Sequence, residues 1–103
     1  MDEALTSSAF ANRVGQTFRA TTADGTPVEL VLRRCDETPY GDPAQWREEL
    51  GRVPFSVEFH VATPHEPAQQ TFQLADDELG DLAVFMTLVG RDEDGFRYEA
   101  VFS

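Results

Sequence analysis

The sequence predicts a mainly β domain: a small antiparallel six-stranded barrel or sandwich, with a short N-terminal helix and a helical turn within residues 35–54. Three observations carry that prediction. Phe55-Ser56-Val57-Glu58-Phe59-His60-Val61 and Phe96-Arg97-Tyr98-Glu99-Ala100-Val101-Phe102 alternate apolar and polar residues, which sends the two sets of side chains to opposite sheet faces. Turn-forming residues recur at short intervals, at Asp24-Gly25, Thr63-Pro64, Asp76-Asp77 and Asp94-Gly95. Eight Phe, two Tyr and one Trp supply bulky material for a core.

At the start of the chain, Thr6-Ser7-Ser8 can cap a short helix through Phe10 and Val14, four residues apart on one face, with Gly15 just past its end. Residues 16–22 read as a strand, and Asp24-Gly25 is a signal for a two-residue hairpin turn. Residues 27–34 pair back, with Val28, Leu30 and Leu32 on one face and Glu29, Val31 and Arg33 on the other. Residues 35–54 are irregular; Asp42-Pro43 opens a helical turn on which Trp46 and Leu50 face the body. This segment reads either as a seal over an open barrel end or as a lid, with Tyr40, Trp46 and Leu50 as its working side chains. After the Phe55 strand come a loop at 63–67, strands at 71–74 and 82–89, and the Phe96 strand. Short links between sequential strands suggest a meander.

At 103 residues the chain is one domain, 1–103, long enough to bury about 65% of its unfolded surface. Nineteen acidic residues against eight basic ones give a net charge of -11, which argues against nucleic acid and anionic membrane as partners. All the basic residues are Arg. Met1-Asp2-Glu3-Ala4-Leu5 has neither the basic nor the apolar part of a secretory leader, and the apolar run 82–89 is too short to span a bilayer, so a cytoplasmic location is expected.

Catalytic vocabulary is sparse. The lone Cys35 excludes an internal disulfide, and Arg33-Arg34 beside it could lower its pKa modestly. His60 lies on the polar face of its strand and His65 between two prolines; with Cys35 they form no spacing known for a metal or a nucleophile. The acidic clusters at Asp76, Asp77, Glu78 and Asp81 and at Asp92, Glu93 and Asp94 lack the alternation of a calcium loop and read as turn chemistry. No cofactor or metal site is expected, and no enzyme. One pattern resists the plain reading. Val31, Phe85, Val89 and Val101 are apolar yet out of phase with the core set of Val28, Leu30, Leu32, Val84, Met86, Leu88, Tyr98, Ala100 and Phe102. Either an internal element covers that second face, or it meets a partner.

Residues along the whole chain carry a resemblance: Phe10, Val14-Gly15 and Phe18; Asp24-Gly25 with Val28-Glu29-Leu30; Phe55-Ser56-Val57 with Phe59; Leu79-Gly80, Phe85 and Val89-Gly90; and Gly95 with Tyr98-Glu99-Ala100-Val101-Phe102. Together they resemble a family of uncharacterised bacterial domains of this length, with departures at Gln70, Leu88 and Ser103 and without a Gly-Pro after Phe59. The resemblance implies an accessory protein of phage-tail-like or tail-collar-like assemblies and transfers no catalytic residue. The resulting expectation is a non-enzymatic domain that binds another protein or itself. A small-ligand barrel lidded by 35–54 is the first alternative, and a hydrolase using Cys35 or a histidine the second.

Overall fold

A computed structural model describes residues 10–37, 55–77 and 79–102. Six strands form a closed antiparallel barrel: β1 (Thr17–Thr21), β2 (Pro27–Glu37), β3 (Phe55–Val61), β4 (Gln70–Asp76), β5 (Gly80–Asp92) and β6 (Gly95–Phe102). The order around the barrel is β1-β2-β3-β6-β5-β4, and β1 closes onto β4. A barrel is therefore formed rather than a sandwich. The chain departs from a simple meander at one point: β3 and β4 do not pair, because two three-stranded meanders are joined by a link that crosses one mouth of the barrel. Closure pairs every strand on both sides and leaves no free edge.

The interior is filled by side chains. Phe18 meets Phe59 edge to face at 5.8 Å, and Phe72 meets Tyr98 at 5.0 Å, an arrangement favoured by the ring quadrupoles. All four rings are essentially inaccessible, as are Leu30, Leu32, Val57, Val61, Leu74 and Met86. Each mouth has its own seal. At one, Phe10 is fully buried and stacks 5.5 Å from Phe102, which in turn stacks 4.9 Å from Phe55. At the other, the link between β3 and β4 folds across, pinned at three points. Thr63 Oγ1 accepts the Glu29 N–H (3.1 Å), His65 reaches Tyr98, and Gln70 Nε2 donates to the Glu66 and Ala68 carbonyls.

Several expectations change. The described residues contain no helical element: helical backbone is confined to Phe10 and Ala11, and a turn comes next, with Arg13 N–H donating to the Phe10 carbonyl (2.8 Å). That break parts the pair expected on one helix face, so Phe10 is buried while Val14 is 53% exposed. The helical turn expected around Trp46, and with it Tyr40 and Leu50, lies outside the described residues. The first hairpin has a three-residue loop rather than a two-residue one. Thr22 N–H pairs with the Thr26 carbonyl at 2.9 Å, and Gly25 supplies the left-handed residue (φ 93°) that such a loop needs. Asp24 accepts hydrogen bonds from the Thr22 and Thr26 hydroxyls, which hold its carboxyl below the usual range.

Two β-bulges matter more for function. One falls between Leu32 and Arg34 on β2, the other between Leu88 and Gly90 on β5. Each inserts one residue, Arg33 and Val89 respectively, and shifts the in-and-out phase of the rest of its strand. Thus Val28, Leu30 and Leu32 point inward, and beyond the bulge Cys35 does.

Candidate functional site

The outer wall formed by β2, β3, β6 and β5 presents three rows of side chains. Pairing register places Ser56 beside Val101, and continuing the β5–β6 register from Thr87–Glu99 places Phe85 beside Val101 on its other side. This row is apolar: Phe85 is 58% and Val101 55% exposed. The middle row runs Thr87, Glu99, Glu58, Arg34. Two carboxylates face each other there, an unfavourable cross-strand pair, and Arg34 draws Glu58 away with a 3.5 Å contact. The third row runs Gly90, Arg97, His60, Val31.

That third row borders an open groove of about 800 Å³. Its walls carry Arg33 from the β2 bulge, Glu58 and His60 from β3, Arg97 from β6, and Arg91 and Asp92 from the end of β5. Glu93 and Asp94, in the β5–β6 turn, form its rim. Gly90 is a requirement of this geometry, since a β-carbon there would collide with the Arg97 guanidinium lying across it. Asp92 is shared: its Oδ1 is 3.4 Å from Arg97 Nε and its Oδ2 is 3.7 Å from His60 Nε2. Arg97 Nε is buried with no hydrogen-bond acceptor among the described residues. Arg91 places its guanidinium carbon 5.7 Å from the centre of the Phe96 ring, a cation–π distance.

Cys35, His60 and His65 occupy three separate surroundings. His60 points outward into the groove yet is only 6% exposed. His65 lies at the barrel mouth. Its Nδ1–H donates to the Thr63 carbonyl at 2.7 Å, and its Nε2 is hydrogen-bonded to the Tyr98 hydroxyl at 2.8 Å. Burial pushes the Tyr98 phenol up, against a smaller opposing pull from Ala68 and Gln70. Cys35 faces inward, half-buried. Its thiol is raised rather than lowered, first by burial and then by Asp36 and Glu37, so the effect expected from Arg33-Arg34 is reversed.

The four apolar residues singled out by phase do not form one patch. Phe85 and Val101 are neighbours, and Val89, 43% exposed, is the bulge residue of β5. Val31 is half-buried beside His60, in the row at the opposite end of the wall. The acidic turn after β4 is occupied with its own hydrogen bonds: Asp76 accepts from Leu79 N–H (2.9 Å) and from Gln16 Nε2 (3.1 Å), and Arg13 sits 3.7 Å away. The groove itself escapes a sequence reading, since its members come from four separate strands. Its one local trace is that Arg33, Arg91 and Arg97 stand among only eight basic residues in the chain.

A closed six-stranded antiparallel barrel with a packed interior, and with apolar and charged rows on one outer wall, is the class that fold and surface define. Over residues 5–102 the chain matches the model of a family described as a domain of unknown function, DUF6916, and it belongs to that family. No curated protein and no solved structure matches it. Among the described residues no helix is long and apolar enough to cross a membrane.

Proposed function

We propose that this domain is a non-enzymatic protein-binding module whose working surface is the outer wall of β5 and β6. The observation that carries the reading is the in-register pair Phe85 and Val101, each more than half exposed on a barrel that is otherwise packed inward. Large apolar side chains left side by side on a sheet face favour contact with a partner over contact with water. Closure of the barrel narrows the mode of binding. With every strand paired on both sides, a partner cannot add a strand to an edge and has to dock on the wall. The family resemblance points to phage-tail-like assemblies as the setting, with the domain synthesised in the cytoplasm and its partner either another protein or a second copy. Size exclusion coupled to light scattering, with affinity capture from the native lysate, tests the reading. A complex that Phe85→Glu abolishes supports it; a monomer that captures nothing, or a complex indifferent to that change, contradicts it.

A further inference from the structure

We propose that the groove between the β2 bulge and the β5–β6 turn is a binding site for a single carboxylate group, held by Arg33, Arg91 and Arg97 with His60 at its floor. Charge pairing within the groove leads to this assignment. Glu58 is engaged by Arg34, and Asp92 by Arg97 and His60. Arg33 and Arg91 have no carboxylate partner among the described residues, in a chain with nineteen acidic side chains and eight Arg. Arg97 adds a buried Nε that lies 3.4 Å from Asp92 Oδ1 without a hydrogen bond of good geometry among those residues. The His60 side chain is only 8% exposed, and its Nε2 lies 3.7 Å from Asp92 Oδ2. Three guanidinium groups and an imidazole thus line one space, and two of the guanidinium groups have no carboxylate partner among the described residues.

The surroundings select the kind of anion. Glu93 and Asp94 stand at the rim and the chain carries a net charge of -11, so multiply charged phosphates and nucleic acid are repelled. A singly charged, planar group is tolerated best, and it matches the fork of a guanidinium in two parallel hydrogen bonds. The carboxylate can belong to a small organic acid or to an acidic side chain of a protein partner. The site is independent of the apolar row.

The test monitors the arginine Nε–H signals of the full chain by NMR at constant ionic strength, during titration with propionate and, separately, with a short capped peptide carrying a single glutamate. Signals of Arg33 and Arg97 should shift saturably. Those of Arg19, 73% exposed and 3.9 Å from Asp77, should not. The exposed pair Arg33→Ala/Arg91→Ala should weaken binding by about tenfold or more with the barrel intact, and Arg19→Ala should leave it unchanged. Saturation by propionate identifies a free acid as a sufficient ligand, and saturation by the peptide alone identifies a partner's side chain; either upholds the site. Absence of saturation with both, parallel movement of Arg19, or wild-type binding by the double variant overturns it.

Discussion

His60 and His65 lie on opposite sides of the same wall of the barrel, and the contrast between them separates what holds this molecule together from what it offers outward. His65 is at the inner mouth, with both ring nitrogens hydrogen-bonded, one to a backbone carbonyl and one to the Tyr98 hydroxyl. Phe96 meets its ring edge-on at 5.5 Å. His60 is more deeply buried than most polar residues, yet it faces a groove. The neighbours of the two rings along β6 alternate as a strand must: Phe96 and Tyr98 face inward to His65, and Arg97 faces outward to His60. A satisfied histidine closes a fold. His60, beside arginines and 3.7 Å from Asp92, faces a groove instead.

If the inner side carries stability, its substitutions should cost the most. Phe72→Ala, which removes a ring wholly inside the barrel and in contact with Tyr98, should destabilise by about 3–5 kcal/mol in urea unfolding. The two histidines then divide sharply. His65→Ala leaves the buried Tyr98 hydroxyl without this partner and should cost about 1–3 kcal/mol. His60→Ala orphans no hydrogen-bonding group and should cost less than about 1 kcal/mol. Equal losses at the two positions would break the comparison.

The same division has a pH signature. Burial raises the Tyr98 phenol above its ordinary value of 10.0, so the folded state holds this proton more tightly than the unfolded chain does. The associated stability is complete below the unfolded value and is lost as pH rises through the folded one. Denaturation midpoints should therefore fall only in strongly alkaline solution. The Tyr98→Phe variant should lose that dependence, and an unchanged alkaline limb would contradict it. A subtler test lies at Gly90→Ala. The added methyl collides only with the movable end of Arg97, so folding should lose no more than about 1 kcal/mol while the Arg97 Nε–H signal shifts.

Much of the inner side was legible in sequence. Strict alternation marked β3 and β6, and the phase of Val28, Leu30, Leu32, Val84, Met86, Tyr98 and Ala100 correctly names their buried face. Two kinds of information are missing from such patterns. Pairing of β1 with β4 and of β3 with β6 joins residues far apart in the chain, so nothing local encodes closure or the crossing link. Bulges interrupt the count: Val89 is apolar and out of phase because it is an inserted residue, and Arg33 reaches the groove for the same reason. Periodicity registers a misfit at such positions but not its cause. Val31, Phe85 and Val101 remain the apolar residues that neither bulge explains, and of these Phe85 and Val101 are more than half exposed.

The outer-wall claim therefore turns on those two side chains. Both are exposed, so Phe85→Thr/Val101→Thr should leave unfolding stability within about 0.5 kcal/mol of the wild type. The most direct measurement is the mass in solution by light scattering, for wild type and this double variant, each alone and with the captured partner. A protein-binding wall predicts a wild-type complex, either a dimer or a heteromer, and a folded, monomeric double variant that binds nothing. A wild type that remains a partnerless monomer, or a double variant that assembles as the wild type does, would contradict it.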